Sequence, residues 1–149
     1  MKTNGGFLVT KIKQLGDRIF ERILAEKNID AFNGAQGRIL YVLWQEDGVP
    51  IKIISEKSGL AITSLTTMLE RMEKNGLINR KADEADKRKT LLFLTDKAKE
   101  LKEAYDSVSN EMGNIYYRDF TDKEILQFEE YLNRIRVNLE EWRTNEYLY

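Results

Sequence analysis

Apolar residues recur at spacings of three and four positions in three segments of the chain. Near the N-terminus these positions are Leu8, Ile12, Leu15, Ile19 and Ile23. In the C-terminal half they are Ala98, Leu101, Tyr105, Val108, Met112 and Ile115, then Ile125, Phe128, Leu132, Ile135, Leu139 and Trp142. This spacing predicts three long helices, each with one narrow apolar seam. A small central lobe cannot cover all three seams, so we expect a second copy of the chain to bury part of them. A monomeric helical core that uses every seam is the alternative.

The middle of the chain begins with a helix that is apolar around much of its circumference. Asn33 and Gln36 have the spacing of a capping box and predict that this helix runs from about Gly34 to Gln45. The run Asp47-Gly48-Val49-Pro50 interrupts it. We therefore expect this helix to be buried.

Two shorter helices are predicted next, over about residues 51–57 and 62–74, with Ser58-Gly59 between them. Glycine readily adopts the left-handed conformation that ends a helix, and two short helices joined by such a turn form a helix-turn-helix. The second helix is expected to bury Leu65, Met68, Leu69 and Met72. Its opposite face carries Thr63, Ser64, Thr66, Thr67, Glu70, Arg71 and Lys74.

That opposite face is suited to DNA. Short hydroxyl side chains at the start of a helix can approach phosphates and base edges closely, and the free backbone N–H groups there favour phosphate. A polar helix face is more often simply solvated, so the face alone leaves both interpretations open.

A hairpin is predicted after the helix-turn-helix. Its strands cover Leu77–Lys81 and Thr90–Leu94, and its tip carries Lys87, Arg88 and Lys89 in succession. Three cations at a hairpin tip are typical of a wing that reaches along a DNA duplex, where arginine suits a narrow minor groove. A solvated tip of mixed charge is the alternative, but the hairpin's place directly after a helix-turn-helix favours the wing.

The charge distribution supports a nucleic-acid face in this middle segment. The whole chain of 149 residues has 24 Lys and Arg against 25 Asp and Glu. Residues 51–100 carry eleven basic and eight acidic side chains, whereas residues 101–149 carry six basic and eleven acidic ones. The near-neutral total therefore hides a basic middle and an acidic C-terminal third. Ordinary surface variation is the alternative.

Missing residue types exclude several functions. The chain has no Cys and no His, which excludes disulfides, thiolate nucleophiles, Ser-His-Asp triads and His-ligated zinc. No motif arranges the carboxylates and lysines as acid, base or nucleophile, so we expect no enzyme, no metal and no cofactor. The longest apolar run, Ile39 to Trp44, is too short to cross a membrane, and residues 1–7 do not resemble a signal peptide. A cytoplasmic protein without a membrane partner is expected.

Residues 51–101 resemble the winged helix-turn-helix of MarR-type transcriptional regulators. Their sequence is IKIISEKSGLAITSLTTMLERMEKNGLINRKADEADKRKTLLFLTDKAKEL. The similarity lies in the EKNGLI turn, in Asp86 and Arg88 of the wing, and in the LFLTDKA junction. It implies a mostly α fold with a small β wing, in which residues 31–97 form the DNA-binding domain. Residues 1–30 and 98–149 would form a helical dimerisation region.

The resemblance also implies which residues contact DNA. Thr63, Ser64, Thr66 and Thr67 would form the recognition-helix contacts, and Asp86 would orient Arg88 in the wing. The exposed cations Arg71, Lys74, Lys87 and Lys89 complete the predicted DNA-binding set. Two positions depart from the family pattern: Ala61 stands where Ser or Thr often caps the recognition helix, and Thr67 where Arg is common.

Members of this family often bind small aromatic or anionic compounds between the DNA-binding lobe and the dimer helices. Residue types suited to such a pocket here are Arg18, Tyr41, Trp44 and Tyr116, with Arg38 and Tyr117 as further candidates. Packing aromatics and surface arginines are the alternative explanation for each of them. The absence of Cys excludes the thiol-based peroxide sensing found in one branch of the family.

Together the patterns and the resemblance predict a homodimeric regulator that binds double-stranded promoter DNA, acts as a repressor and is released by a small ligand. A winged-helix module that binds a protein partner instead of DNA is the second hypothesis, motivated by the threonine-rich, arginine-poor helix face. An enzyme is the third.

Overall fold

The computed structural model describes residues 1–146, with side chains described to residue 144. The helices are α1 (Gly5–Glu26), α2 (Gly34–Gln45), α3 (Ile51–Ser58), α4 (Ile62–Lys74), α5 (Asp96–Glu100), α6 (Lys102–Tyr116) and α7 (Asp122–Glu146). The strands are β1 (Val49–Pro50), β2 (Ile78–Ala82) and β3 (Thr90–Leu94). The predicted fold class, mostly α with a small β wing, is confirmed. Two compact units result, Met1–Met112 and a second that begins at Gly113.

The core of the first unit is built around α2, as its apolar circumference predicts. Ile39 and Leu40 are fully buried, and they share one core with Ile54 of α3 and Leu69 of α4. The capping box that begins α2 is present: the Asn33 side chain accepts from the Gln36 backbone N–H at 2.8 Å, and Gln36 accepts from that of Asn33 at 3.0 Å. Local capping and apolar patterning therefore both specify this central helix.

The helix-turn-helix lies where the sequence places it. Gly59 ends α3 with φ +74°, a left-handed conformation that residues with a side chain rarely adopt. Two serines secure the turn: the Ser55 hydroxyl donates to the carbonyl of Leu60 at 2.7 Å, and the Ser58 Oγ accepts from the Leu60 N–H at 3.2 Å. These bonds position the chain for the start of α4 at Ile62.

The sheet has three strands in the order β1-β3-β2, and the sequence predicted only two of them. The residues interpreted as a helix-breaking turn include β1, in which Val49 pairs antiparallel with Leu92. Gly48 precedes it with φ +70°, and a Cβ there would lie 2.6 Å from the Phe93 ring. The Asp47 side chain accepts from the Leu94 N–H at 2.8 Å. A two-residue strand has no measurable alternation, so only its tertiary partner identifies it.

The first strand of the wing is shifted by one residue from its predicted position. It covers Ile78–Ala82 instead of Leu77–Lys81, and it pairs with β3 from Ile78 opposite Leu94 to Ala82 opposite Thr90. The backbone N–H of Leu77 donates to the Met72 carbonyl at 2.9 Å and completes the end of α4. The N–H of Leu77 therefore belongs to the helix cap, while its carbonyl accepts from the Thr95 N–H at 3.1 Å, just beyond the end of the strand ladder.

The helix expected from Ala98 to Ile115 is interrupted at Leu101, between α5 and α6. The Leu101 N–H donates to the Ala98 carbonyl at 3.2 Å, which is a tighter turn than an α-helix has. The Trp44 indole N–H donates to the same carbonyl at 3.2 Å. The Trp44 side chain of α2 thus takes up a backbone hydrogen-bond acceptor in α5. The local sequence pattern does not indicate this contact.

The second unit contains the connection into α7 and α7 itself. Thr121 and Glu124 form a capping box at its start, with bonds of 3.1 and 2.9 Å. The Tyr117 ring packs edge-on against Phe128, and its hydroxyl donates to Glu129 at 2.8 Å. These contacts attach the connection to the first turns of α7.

The Tyr117 hydroxyl makes the second unit sensitive to alkaline pH. Burial raises the pKa of Tyr117 to about 12, and the hydrogen bond to the Glu129 carboxylate adds to this effect. The neutral phenol is therefore favoured by folding: this stabilisation is complete below the ordinary tyrosine pKa of about 10 and is lost as the pH rises through 12. Tyr105 also has a raised pKa, so we expect tyrosinate absorbance to show more than one late-titrating phenol, of which one disappears in Tyr117→Phe. In Glu129→Gln it should titrate earlier, and an unchanged curve in both variants would contradict the assignment.

Apolar seams remain exposed at both ends of the described chain. The N-terminal seam on α1 begins with Leu8, 54% exposed, and is buried only at Ile23. On α7, Ile125 and Phe128 are half-buried, whereas Leu132, Ile135, Leu139 and Trp142 are 37%, 49%, 66% and 65% exposed. No helix within residues 1–146 is long and apolar enough to cross a membrane. In the same part of the chain, no cluster of three acidic side chains could hold a metal ion.

Candidate nucleic-acid interface

The orientation of α4 is set by the core. Leu65, Leu69 and Met72 are fully buried and Met68 is half-buried, as predicted. The opposite face is therefore turned to solvent. Every predicted contact residue on that face is exposed: Thr63, Ser64, Thr66, Thr67, Arg71 and Lys74.

The N-terminus of α4 has backbone donors to offer. Ala61 is its N-cap and supplies no side-chain acceptor, as the departure from the family pattern implies. The first N–H groups of a helix have no partner within the helix, and here no capping side chain takes them. Thr66 differs from the other threonines because its hydroxyl already donates to the Ile62 carbonyl at 3.0 Å. The donor of this hydroxyl is therefore used within the helix, and its oxygen is left as an acceptor only.

Charge is unevenly placed along the outer face of α4. Arg71 and Lys74 lie in its last two turns, and among the described residues neither has a carboxylate within ion-pairing distance. Glu70 lies beside them and is exposed. The helix thus has a neutral, hydroxyl-bearing beginning and a charged end.

The loop at the wing tip is held by its own hydrogen bonds. The backbone N–H of Asp83 donates to the Lys89 carbonyl at 2.9 Å, and that of Lys89 donates to the Asp86 carbonyl at 2.9 Å. The Asp83 carboxylate accepts from the Ala85 N–H at 2.9 Å. Residues 83–89 therefore form an ordered turn, and Lys87, Arg88 and Lys89 are all exposed on it.

Asp86 holds Arg88 at this tip, which is the contact that the resemblance implies. Its Oδ1 accepts from the Arg88 backbone N–H at 3.1 Å and from the Arg88 Nε at 3.2 Å. The side-chain hydrogen bond from Arg88 is the main cause of a lowered pKa for Asp86, followed by the backbone one. The Arg88 side chain stays 92% exposed. One carboxylate therefore orients a guanidinium whose outer N–H groups face solvent.

The wing is attached directly to the end of α4. The Thr95 hydroxyl donates to the Gly76 carbonyl at 2.6 Å, and Lys97 donates to the Asn75 carbonyl at 3.2 Å. Arg80 of β2 forms an ion pair with Glu73 of α4 at 3.2 Å. Sequence patterns did not indicate these links, because their partners belong to different elements. These contacts connect the end of α4 to the base of the wing and to the residues that follow β3.

The candidate effector residues are only partly brought together. Tyr41 and Trp44 both pack on the Tyr105 ring, with centroid separations of 5.8 and 5.3 Å. Burial is the main cause of the raised pKa of Tyr105, which the sequence pattern indicated only as a seam residue. Arg18 lies exposed on α1. Tyr116 belongs to the second unit, where its ring packs edge-on against Tyr117 at 5.8 Å.

The candidate Arg38 has a partner on α1. Its guanidinium lies 3.4 Å from the Asp17 carboxylate, which also pairs with Lys13 at 2.7 Å. The positive charge of Arg38 also lies close enough to Tyr105 to oppose the rise in that residue's pKa. Arg38 is therefore the arginine candidate that the structure places near the aromatic group.

Comparison with known proteins identifies the domain. The MarR family model matches residues 32–90. The regulator TtmR of Methylorubrum extorquens is 36% identical over 77 residues, which are 52% of this chain and 40% of that protein. The organic hydroperoxide resistance regulator of Bacillus subtilis is 42% identical over 64 residues, 43% of this chain and 44% of that protein. The chain thus spans less than half the length of these curated relatives.

Solved structures agree on the fold. A point mutant of MarR of E. coli, complexed with operator DNA, superposes with a TM-score of 0.78 at 22% identity, covering 87% of this chain and 91% of that one. BpsR of Bordetella bronchiseptica, whose DNA binding 6-hydroxynicotinic acid regulates, gives 0.79 at 18% identity, covering 88% and 91%. Residues 32–90, which hold α2, the helix-turn-helix and most of the wing, therefore form a MarR-type domain in this chain.

Proposed function

We propose that this chain is a cytoplasmic transcriptional regulator that binds promoter DNA as a homodimer, and that it acts as a repressor released by a small ligand. One observation carries this proposal: the hydroxyl-bearing face of α4 and the Arg88 tip of the wing are both exposed, and a hydrogen bond and an ion pair join the end of α4 to the wing. In a winged helix, the recognition helix enters the major groove while the wing follows the backbone.

The electrostatics of this surface suit a duplex. Free N–H groups at the start of α4 attract phosphate, and Arg71 and Lys74 add two cations at its other end. At the wing, Arg88 is oriented by Asp86 between two further cations, Lys87 and Lys89. An arginine held in place loses less conformational entropy when it enters a narrow minor groove. The predicted DNA contacts, which begin with Thr63 on α4 and end with Lys89 at the wing tip, remain predictions for this chain.

The relatives support the same function. TtmR and the B. subtilis protein are both named as transcriptional regulators, and the E. coli structure holds operator DNA. None of them is named as an enzyme. The alternative, a module that binds a protein instead of DNA, rests on the scarcity of arginine on α4 and would be supported by a complete lack of affinity for DNA.

A second copy of the chain is the partner that the exposed seams suit. Leu8, Ile12 and Leu15 on α1 and Leu132, Ile135, Leu139 and Trp142 on α7 are all more than a third exposed. Water-exposed seams of this length are unfavourable for a single chain. A dimer would also present two recognition helices, as a palindromic operator requires. The predicted division into a DNA-binding domain (31–97) and a dimerisation region (1–30 and 98–149) remains a prediction.

The test uses the purified chain and duplexes from the region upstream of its own gene. We expect mobility shifts with a preferred duplex, weakening steeply as salt rises because cations on both wings release counterions from the phosphates. A random duplex of equal length is the control. Equal affinity for both duplexes, or none for either, would argue against sequence-specific regulation.

The negative charge of Glu70 is expected to weaken binding to DNA of any sequence. Its carboxylate lies exposed on the outer face of α4, where phosphates would approach. Removing one negative charge at about 10 Å from a phosphate is worth roughly twofold in affinity per protomer at low salt. Glu70→Gln should therefore bind all duplexes more tightly, and the gain should fade as salt rises. Glu103→Gln on α6, also exposed, is the control for the charge change itself.

The proposed ligand response has its own test. Trp44 lies against Tyr105, and the only other tryptophan of the chain is Trp142. In a Trp142→Phe variant, quenching of the Trp44 fluorescence would report an aromatic acid bound near it. Because 6-hydroxynicotinic acid regulates BpsR, it is the first probe. We expect a ligand to lower DNA affinity by favouring a spacing of the two wings that does not fit DNA. Quenching without any change in DNA affinity would contradict a regulatory role for that compound.

A further inference from the structure

Methyl groups cover the first two turns of α4, where the recognition surface begins. The exposed positions that carry them are Ile62, Thr63, Thr66 and Thr67. Thr63 lies three residues before Thr66 and four before Thr67, and Ile62 lies four before Thr66, which are the spacings of neighbours on a helix surface. Ile62 is 48% exposed, although isoleucine is among the residue types most often buried. Thr63 and Thr67 lie on the face that the core does not use. Ile62 is three and seven residues before the buried Leu65 and Leu69, so it lies at the edge of the patch, next to the buried face.

Hydrogen-bonding groups for purine edges are scarce in the same two turns. The segment from Ala61 to Leu69 contains no Arg, Lys, Asn or Gln, which are the residues that pair with guanine and adenine. The Thr66 hydroxyl is engaged with the Ile62 carbonyl at 3.0 Å. The first long cation along the helix is Arg71, in its third turn. Besides short hydroxyl groups, these turns offer a base pair only apolar contact.

Thymine is the one base that presents an apolar group in the major groove, its 5-methyl. Resting on the proposed function, we propose that α4 recognises thymine through its 5-methyl group, with the methyl groups of Thr63 and Thr67 forming the surface that receives it and Ile62 at the edge of that surface. The free N–H groups at the start of α4 and the cations of the wing then supply affinity from phosphates, without specifying bases. The preferred operator of this chain therefore has thymine at the base pairs that the first two turns of α4 contact.

The DNA side of the test removes only the methyl group. Duplexes preferred by the full chain are selected from a random library, and each thymidine is then replaced singly by deoxyuridine. We expect at least one replacement in each half-site to lower affinity about fourfold, the value of one buried methyl group. Binding of every substituted duplex within a factor of two of its parent would overturn the inference. A library that yields no preferred duplex would overturn the proposed function and this inference together.

The protein side of the test separates the methyl group of Thr67 from its hydroxyl. Thr67→Ser keeps the hydroxyl and removes the methyl, whereas Thr67→Val does the reverse. Because a dimer carries the change twice, we expect the serine variant to lose about fourfold per half-site on the thymine duplex and nothing further at a half-site that carries deoxyuridine, with the valine variant unchanged. Loss in the valine variant with retention in the serine variant would overturn the inference, because it would identify the hydroxyl as the recognising group.

Ile62→Ala extends the same comparison, with thermal unfolding as the control for folding. The side chain is half-exposed and outside the core cluster, so the variant should unfold at nearly the parent temperature. We expect it to bind the thymine duplex more weakly and to lose part of its sensitivity to deoxyuridine. If this variant and Thr67→Ser both keep the full sensitivity to deoxyuridine, the methyl groups on α4 are not the surface that contacts thymine, and the inference is overturned.

Discussion

Replacing Arg88 by alanine is expected to lower the affinity of the dimer for its preferred duplex by about thirtyfold or more. Each wing would lose one arginine contact, worth about 1 kcal/mol or more, and a dimer carries two wings. The Arg88 side chain is 92% exposed, so the variant should keep its fold and its thermal stability. Fluorescence anisotropy with labelled duplex at several salt concentrations measures both the affinity and the salt slope.

Arg118→Ala is the matched control for this prediction. Arg118 is 86% exposed and lies 4.0 Å from Asp119, so it resembles Arg88 in exposure and in having an aspartate neighbour. We expect it to leave DNA affinity nearly unchanged. Asp86→Asn should have an intermediate effect, since it keeps the arginine but weakens the bonds that hold it. If Arg88→Ala binds as the parent does, the wing has no part in DNA binding.

Two acidic substitutions in the α7 seam are expected to abolish dimerisation and, with it, tight DNA binding. Ile135 and Leu139 are 49% and 66% exposed in one chain, so glutamate at these positions costs that chain little. Across a dimer seam the new charges would be buried without partners. We expect the Ile135→Glu/Leu139→Glu variant to sediment with the mass of one chain. Its DNA affinity should fall at least about a hundredfold, because the two half-sites are no longer bound by linked lobes.

Val137→Glu is the control for the seam itself. Val137 lies on the same helix, is 37% exposed and falls on the side opposite the repeat of Ile135 and Leu139. We expect this variant to remain a dimer with unchanged DNA affinity. A double glutamate variant that still sediments as a dimer would mean that the α7 seam is not the interface.

The helices of the first unit could be predicted closely because local chemistry determines them. The bounds of α2 and α4 match their predicted ranges to the residue, since a capping box begins one and a glycine turn ends the other. The buried face of α4 follows from its spacing alone. The exposure of the predicted contact residues and of Arg88 at the wing tip follows from the same apolar pattern, because they occupy positions that the core does not use. Their contact with DNA, which the resemblance implies, remains a prediction.

The elements that sequence reasoning missed depend on partners far along the chain. The two-residue strand β1 exists because β3 pairs with it, and the break at Leu101 accompanies the Trp44 indole on the Ala98 carbonyl. The role of Tyr105 as the ring on which Tyr41 and Trp44 pack was equally invisible. A residue's own neighbours in sequence carry no information about such contacts.

By itself, the sequence determined the helix-turn-helix, the basic wing, the apolar seams and the exclusion of thiol and imidazole chemistry, because each depends on residue type and short-range spacing. Only the tertiary structure decided that Arg80 and Glu73 join the wing to α4 and that the α7 seam stays open beyond Phe128. It also showed that the Thr66 hydroxyl is engaged while Ile62 lies exposed. These features are relations between atoms brought together by folding, and they depend on geometry that spacing along the chain does not contain.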